Sequence, residues 1–188
     1  PKTPKPHVSL VSFFLFKMSL IRFYKSMLDS NPFVTKSVTD SILMGSGDLL
    51  CQAAKAKDRF FEDYCPKRTS VMMTYGLLIN GPTLAVAYGT IYPAMGQGLR
   101  GLACKLGFNT TFHTFFSMFT FFTAVPLLKG ASIDDAMDEC RKMWWPTVQG
   151  SWKFWPFVNL ITFLMVPVAF QTQFSSLLSV VFNVYLSD

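Results

Sequence analysis

Charged residues are scarce in this sequence, and their scarcity argues against an ordinary water-soluble domain. Asp, Glu, Lys and Arg make up 15% of the 188 residues, against about 25% in a typical soluble domain. From residue 154 to residue 187 none of them occurs, a run of 34 residues. Roughly 20 apolar residues in a helix span a bilayer core about 30 Å thick. This run is therefore long enough to cross a membrane.

Motifs that carry enzyme or metal chemistry are also missing. The four cysteines are widely spaced and form no C-x-x-C pair: Cys51, Cys65, Cys104 and Cys140. With only two histidines besides, no spacing typical of a metal site occurs. There are no paired carboxylates, no nucleophile with a base and no phosphate-binding loop. We therefore expect no enzyme activity and no cofactor, and we expect the cysteines to be small buried hydrophobes.

The basic residues that are present lie between apolar stretches. The chain has a formal net charge of +6, which in a soluble protein would indicate a nucleic-acid partner. Between apolar runs, attraction to anionic lipid headgroups such as those of cardiolipin explains the same residues better. We expect membrane lipids and other membrane protein subunits as partners, and no nucleic acid.

The chain divides into a basic start, residues 1–32, and a single membrane domain, residues 33–188. Residues 1–7 are rich in proline and basic, which predicts an extended segment. Apolar runs alternate with basic residues from residue 8 to residue 29, and no run is long enough to span, so this part is predicted to lie as a helix in the membrane interface. Asn31 and Pro32 are expected to end that helix. A basic, acid-poor start also suits mitochondrial import.

The membrane domain is predicted to be an all-α integral membrane bundle of about four transmembrane helices with amphipathic interfacial helices. The predicted spans are residues 33–54, 69–99, 106–128 and 151–171. A capping box, Ser132 with Asp135, predicts a short interfacial helix before the last span. After Pro167 the apolar run continues, either as a kinked extension of the last span or as a separate short helix.

Small and aromatic residues mark the second span. Gly81, Ala85 and Gly89 lie four residues apart and form a stripe suited to close helix crossing. Gly81 and Pro82 together predict a kink or the start of a turn. Tyr88 and Tyr92 are typical of the interfacial end of a span.

Five polar residues are candidates for a polar interior that could line an aqueous path: Asp48, Gln52, Asn109, His113 and Asn159. Asp48 and Gln52 lie one helical turn apart and share a face. A carboxylate at membrane depth is costly unless it is paired, hydrated or protonated. Asp48 therefore either faces a polar interior, or lies at a bend near the headgroups or bonded to a neighbouring helix. For His113 the favoured interpretation is a neutral histidine hydrogen-bonded within the bundle.

Several short motifs follow one another along the chain, and their order and spacing form a pattern. They are Gly45, Gly47 and Asp48 with Gln52; Gly81 and Pro82 with Tyr88; Trp152, Trp155, Pro156, Phe163, Val166 and Pro167; and the closing Asn183, Tyr185, Leu186 and Ser187. This order resembles the pattern of the Mpv-seventeen / twenty-two-kilodalton peroxisomal membrane protein family over nearly the whole chain. The resemblance implies a four-span helical protein of the mitochondrial inner membrane or, less often, of the peroxisomal membrane. Members of that family are discussed as small-solute pores.

The chain departs from the family pattern where charges are concerned. The family tends to have Asn, Gln, Asn and Arg where this chain has Ser151, Asn159, Thr162 and Gln171. An Asp-Gln pair usual in the third span is replaced by Asn109 and Thr110, so Gln171 and Asn109 each remove a formal charge. A member without these charges is expected to keep the fold but not the pore activity. The resemblance then favours a non-enzymatic structural or accessory subunit of a large mitochondrial inner-membrane complex, such as a respiratory complex or ATP synthase. The alternative is a small-solute channel of the mitochondrial inner membrane or the peroxisomal membrane.

Overall fold

The computed structural model describes residues 18–19, 21–56 and 60–186, and every regular element among them is a helix, as predicted. A helical segment at residues 21–30, α1, ends at Asn31 as the sequence indicates. The predicted extended start at residues 1–7 lies outside the described residues. The elements that follow are α2 (Pro32–Ala56), the four-residue α3 (Phe60–Asp63), α4 (Pro66–Ala94), α5 (Gly98–Lys129), α6 (Ile133–Met165) and α7 (Val168–Leu186).

Local signals explain the boundary between α5 and α6. Gly130 adopts a left-handed conformation with φ of 97°, and its N–H donates to the Leu127 carbonyl at 2.9 Å. A glycine reaches this conformation without the steric cost that a Cβ would add. Ser132 then caps α6, because its Oγ accepts the backbone N–H of Asp135 at 3.2 Å. The predicted capping box is confirmed.

The prediction of a short interfacial helix followed by a separate span is wrong, because α6 is one continuous helix of 33 residues. It runs through Pro146 and Pro156, although a proline inside a helix costs about 3 kcal/mol or more. Val148 and Ser151, which follow Pro146 within two turns, are fully buried. Packing in this region of the bundle therefore outweighs the loss of the proline's hydrogen bond.

Pro167 separates α6 from α7 and decides between the two alternatives left open for the end of the chain. Val166 is extended, with φ of −97° and ψ of 125°. The residue before a proline is disfavoured in the helical region, so α6 must end there. The apolar run after Pro167 is thus a separate helix, α7.

Five long helices enclose one interior. Helix α2 packs against α4 and α7, α5 packs against α4 and α6, and α6 also packs against α7. The α2–α4 crossing is close, because a Cβ added to Gly76 would lie 2.9 Å from the Ser41 Cα and one added to Gly81 would lie 2.6 Å from the Ser37 Cα. Of the predicted small-residue stripe, Gly81 and Ala85 are buried but Gly89 is exposed. Gly76 takes the place of Gly89 at the crossing.

Three π turns interrupt the long helices in the described part: Gly76–Asn80 and Ala87–Ile91 in α4, and Asn109–His113 in α5. The first of them directly precedes Gly81 and Pro82, and α4 continues through the proline without ending. An α-helical segment, Gly81–Val86, thus starts at Gly81 and Pro82, which agrees with the predicted start of a helical turn. Single π turns inside helices are often associated with functional positions.

The distribution of polarity is typical of a protein surrounded by lipid. Large apolar side chains cover the outside, among them Phe157 at 70% exposure and Leu164 at 64%. Carboxylates, amides and hydroxyls are buried inside, including Asp40, Asp48 and Asn159. Water-soluble monomers rarely expose extended apolar surface.

Helices α4 and α5 are long and apolar enough to cross a membrane, and α7 carries a shorter apolar stretch, Val168–Phe182. Within the described residues, α2 and α6 do not meet the same criterion of length and composition. Helix α2 contains several charged residues, and α6 begins with a charged segment before its apolar part. The total of four spans stays a prediction.

Candidate functional site

Asp48 bonds to the neighbouring helix, as one of the alternatives drawn from the sequence has it, and it is also buried in the interior of the bundle. Its Oδ2 accepts hydrogen bonds from Gln52 Nε2 at 2.6 Å and from Thr69 Oγ1 at 2.8 Å. Its Oδ1 lies 2.6 Å from Arg68 Nε in an ion pair. Helix α2 continues to Ala56 without bending away. We call these four residues, Asp48, Gln52, Arg68 and Thr69, the Asp48 cluster.

The sequence placed Arg68 in a loop and so missed the partner of Asp48. Arg68 instead lies in the first turn of α4, which begins at Pro66. Gln52 holds the connection between α2 and α4 in place, because its Oε1 accepts the Cys65 N–H at 2.7 Å. The Asp48 carboxylate is 2% exposed, whereas the Arg68 side chain is 37% exposed. The buried charge is therefore compensated by a cation that reaches the surface.

A second network joins four helices further along the bundle. Asn159 Nδ2 donates to Asn109 Oδ1 at 2.6 Å, and Asn109 Nδ2 donates to the Tyr92 hydroxyl at 2.7 Å. The Tyr88 hydroxyl donates to Asn159 Oδ1 at 3.2 Å and lies 2.6 Å from Ser175 Oγ. We call these five residues the Asn109 network. The prediction that Asn109 and Asn159 share a polar interior agrees with this arrangement.

The interfacial position predicted for Tyr88 and Tyr92 is wrong, since each is 1% exposed. Their rings pack edge to face with centroids 4.9 Å apart, and their hydroxyls bond to amides instead of headgroups. A tyrosine has an apolar body with a polar tip, so it suits a membrane interface and a buried polar network equally well. The sequence pattern alone does not separate the two.

Two cavities lie between the helices. The inner chamber, of about 110 Å³, is lined by residues of all five long helices. Its lining includes ten residues with polar side-chain groups: Tyr75, Asn80, Tyr88, Asn109, His113, Thr114, Ser117, Thr147, Ser175 and Ser179. Four of these ten residues, Asn80, Tyr88, Asn109 and His113, belong to the π turns. Each of the three π turns thus contributes to the polar lining.

The outer chamber, of about 360 Å³, lies at the end of the bundle where α2 ends and α4 begins. Asp48 and Arg68 line it together with apolar side chains of α4 and α6. It reaches the protein surface at Met143, which is 49% exposed. Four residues line both chambers, so the two chambers approach each other there: Met44, Phe121, Phe122 and Thr147.

The five polar-interior candidates therefore fall into two groups. Asp48 lines the outer chamber with Gln52 bonded to it, and Asn109 and His113 line the inner chamber. Asn159 bonds to Asn109. The hydrogen bond expected for His113 is absent, since its buried Nε2 has no partner among the residues that the structure describes.

Asp40 is an interior residue that the sequence reasoning did not select. It is 1% exposed, and it accepts hydrogen bonds from Asn80 Nδ2 at 2.9 Å and from Ser176 Oγ. The signal was present as a spacing of four along α2, where every fourth residue from position 36 to position 52 is buried: Lys36, Asp40, Met44, Asp48 and Gln52. Residues spaced by four lie on one helical face. We call these five residues the α2 stripe.

Residues of the family pattern mostly serve packing and helix boundaries. A Cβ on Gly45 would meet the Met73 side chain at 2.5 Å, and one on Gly47 would meet Val180 at 2.8 Å. The Trp152 indole N–H donates to the Thr110 carbonyl at 2.8 Å, and Trp155 lines the inner chamber. The roles of Gly81, Pro82, Pro156 and Pro167 are those described for the fold. The side chains of the closing motif, Asn183, Tyr185, Leu186 and Ser187, lie outside the described part.

The two positions that lack the family's charge have structural partners in this chain. Gln171 Nε2 donates to the carbonyls of Thr162 and Val166, at 3.3 and 3.0 Å. The Thr162 carbonyl also accepts the Val166 N–H at 3.2 Å, so Gln171 gives it a second donor and also bonds the Val166 carbonyl just after the end of α6. Asn109 holds the Asn109 network together. Both uncharged residues are thus integrated into the bundle.

The cysteines and the other possible metal ligands form no site in the part of the chain that the structure describes. All four cysteines are free, and no group of three His, Cys, Asp or Glu residues could hold a metal ion there. Cys51 and Cys140 are buried as expected, but Cys65 and Cys104 are exposed. For Cys65 the reason is its position just before α4 begins.

The apolar exterior, the polar interior and the two chambers define a helical membrane protein. The sequence profile of the Mpv17 / PMP22 family matches residues 126–187. The protein named SYM1 of Gibberella zeae is 28% identical over 177 residues, which cover 90% of this chain and 96% of that relative. PXMP2/4 family protein 2 of Dictyostelium discoideum is 28% identical over 170 residues, 87% of each chain. The resemblance to the Mpv17 / PMP22 family that the sequence motifs indicated is thus found again in the family profile and in these relatives.

A third relative, the SYM1 protein of Saccharomyces cerevisiae, is 26% identical over 181 residues, with 90% of this chain and 89% of the relative covered. No solved structure matches the chain. The similarity to these relatives extends over nearly the whole sequence, so it includes both chambers as well as the segment matched by the family profile.

Proposed function

We propose that this protein is a small-solute channel, in which the outer and inner chambers are two parts of one pathway. The observation that supports the proposal most is the close approach of the two chambers, where four side chains line both: Met44, Phe121, Phe122 and Thr147. An apolar constriction between wetter compartments can close a pathway by excluding water. In this proposal Met44, Phe121 and Phe122 are the gate.

The sizes of the chambers agree with a closed state. The outer chamber, about 360 Å³, lies within the range of pockets for small organic molecules, roughly 300–1,000 Å³. The inner chamber, about 110 Å³, is large enough for several water molecules. A larger solute would pass only if the gate side chains moved. Met44 is suited to this, because its unbranched side chain adopts many conformations.

The charge argument that favoured an accessory subunit is weaker in the light of the interior. It rested on Asn109 and Gln171, but both residues have structural partners in this chain. The interior retains Asp40, Asp48 and Arg68, of which two line the outer chamber. The two absent charges therefore do not argue against a pathway. For this reason we rank the channel before the subunit.

Flux through the purified protein in liposomes tests the channel. The gate variant Phe122→Ala should raise the efflux of the neutral four-carbon polyol erythritol severalfold, because it shortens one gate side chain. Phe119→Ala is the matched control, since Phe119 lies on the same helix, is 45% exposed and lines neither chamber. Equal efflux from protein-containing and protein-free liposomes, for the unmodified chain and for the gate variant, would reject the channel.

An accessory subunit of a large mitochondrial inner-membrane complex, such as a respiratory complex or ATP synthase, is the second candidate. The exposed face of α5 favours the accessory subunit. Only 17% of the residues in the most apolar stretch of α5 are buried, compared with 39% for the most apolar stretch of α4. The Phe112 and Phe116 rings stack on this face with centroids 6.3 Å apart. Other membrane proteins or lipids, including cardiolipin, are the proposed partners of this surface. Migration in native gels of solubilised membranes at the size of the chain alone would count against the subunit.

The proposed location is the mitochondrial inner membrane, with the peroxisomal membrane as the alternative. The basic, acid-poor start of the sequence supports the first location. Separation of the two organelles on a density gradient, followed by detection of the protein, distinguishes them. We also propose that the protein is not an enzyme, because its interior polar groups bond mainly to one another and form no nucleophile and base pair in the described part.

A further inference from the structure

We propose that Arg68 makes the outer chamber a binding site for small carboxylates, so that the pathway prefers anions to neutral solutes of the same size. This inference rests on the proposed channel and assigns its solute class. It starts from the orientation of one ion pair at the entrance of the pathway.

The guanidinium of Arg68 is only partly used by its partner. Its Nε lies 2.6 Å from Asp48 Oδ1. Within the described residues, no hydrogen bond joins Nη1 or Nη2 of Arg68 to the protein. A guanidinium is a planar fork of donors that matches a carboxylate in a bidentate arrangement. As far as the described residues go, two donor groups of that fork are therefore available to hydrogen-bond an anion.

The chamber presents the cation of the pair more than the anion. The Arg68 side chain is 37% exposed and the Asp48 side chain only 2%. Gln52 and Thr69 both donate to Asp48 Oδ2 and hold the carboxylate in the interior. A solute that enters at the open side of the chamber thus meets the guanidinium before it meets the carboxylate.

Asp48 also limits how tightly an anion can bind. Its negative charge offsets part of the field of Arg68, because the two groups are in direct contact. A pathway needs a site that attracts a solute and still releases it. A guanidinium with a permanent counter-ion meets both needs better than an isolated one.

An interhelical brace is the structural alternative, and it makes a different prediction. If the pair only joins α2 to α4, its removal should lower stability and change the flux of all solutes alike. If Arg68 binds carboxylates, its removal should change the ratio between solutes. The ratio of fluxes is therefore the quantity to measure.

Three four-carbon solutes of different charge serve as probes: succinate, erythritol and putrescine. In liposomes containing the unmodified protein, succinate should pass faster than erythritol, and putrescine more slowly. Arg68→Lys keeps the charge but loses the fork, and should lower the succinate to erythritol ratio severalfold. Asp48→Asn leaves Arg68 without its counter-ion and should raise the ratio. Arg141→Gln is the matched control, because Arg141 is 74% exposed, pairs with Asp138 and lines neither chamber.

The double variant Asp48→Asn with Arg68→Gln guards against misfolding, because it removes both charges of the ion pair and leaves neither partner unpaired. It should show the lowest ratio of all. Succinate should also raise the unfolding temperature of the purified unmodified protein but not of Arg68→Lys, since a ligand that binds only the folded state stabilises it. This readout does not depend on flux.

The outcomes separate the site from the channel. Equal passage of the three solutes, unchanged by substitutions at Arg68, would overturn the carboxylate site and leave the channel standing. Absence of flux together with succinate stabilisation that Arg68→Lys abolishes would support the site and reject the channel. Stabilisation by anionic lipid and not by succinate would overturn the proposal, because the occupant would then be a headgroup.

Discussion

Replacement of Asn159 with leucine tests whether hydrogen bonds hold the interior of the bundle together. Asn159 is 1% exposed and makes two contacts across helices: its Nδ2 donates to Asn109 Oδ1 and its Oδ1 accepts from Tyr88. Leucine has the same number and branching of side-chain heavy atoms, although its methyl groups are bulkier, so the change removes these bonds without creating a cavity. The perturbation is therefore mainly one of polarity.

The expected loss follows from the groups left behind. Hydrogen bonds between helices in membranes contribute about 0.6 kcal/mol on average and about 1.7 kcal/mol at most. Two such bonds account for about 1–3 kcal/mol. Asn109 Oδ1 would also lose its donor while it stays buried, at a cost of about 1–3 kcal/mol. Tyr88 keeps its contact with Ser175 Oγ. We expect Asn159→Leu to lower the free energy of unfolding by about 2–6 kcal/mol.

Unfolding by SDS in mixed micelles, followed by tryptophan fluorescence, measures this difference. Ser151→Ala is the matched control on the same helix, because Ser151 is fully buried and its Oγ has no hydrogen-bond partner in the described part. It should change the free energy by less than about 0.5 kcal/mol. Equal losses for the two variants would refute the reasoning, since burial alone would then explain both.

Two further predictions concern helix packing and the cysteines. Gly76→Val should destabilise the protein by about 1–3 kcal/mol, because a Cβ at position 76 would lie 2.9 Å from the Ser41 backbone. Gly107→Ala should have no such effect, because a Cβ at position 107 would face open space. The same unfolding assay measures both variants, and equal losses of stability would contradict the close crossing of α2 and α4. A maleimide added to the folded protein in detergent should modify Cys65 and Cys104 and leave the two buried cysteines unmodified. Mass spectrometry after proteolysis identifies the modified cysteines. Rapid labelling of all four would contradict the burial of Cys51 and Cys140.

Hydropathy and local spacing were sufficient for part of this fold. Runs without charge correctly indicated helices, and the capping box at Ser132 located the start of α6. The spacing of Asp48 and Gln52 correctly placed both on one buried face. Each of these features depends on neighbours within two helical turns, which a sequence displays directly.

Features that depend on contacts between distant segments could not be read in the same way. The partner of Asp48 is Arg68, on another helix, and a basic residue beside several other basic residues looked like part of a loop. The charged start of α6 and its apolar part were predicted to be separate helices, yet tertiary packing keeps α6 continuous through Pro146 and Pro156. Asp40 was passed over because its partner Ser176 lies 136 residues away. In each case the deciding energy comes from the assembled bundle.

The α2 stripe has a consequence for how the protein is made. Helix α2 presents Lys36, Asp40 and Asp48 on one face, and an aspartate or lysine at the centre of a bilayer costs an isolated helix about 2.5–3.5 kcal/mol. Ser176, which bonds to Asp40, is synthesised only after most of the chain has left the ribosome. We therefore expect α2 to remain outside the hydrocarbon, or held by the insertion machinery, until α7 emerges. Helix α2, the first long helix among the residues that the structure describes, would then be among the last to settle in the bilayer.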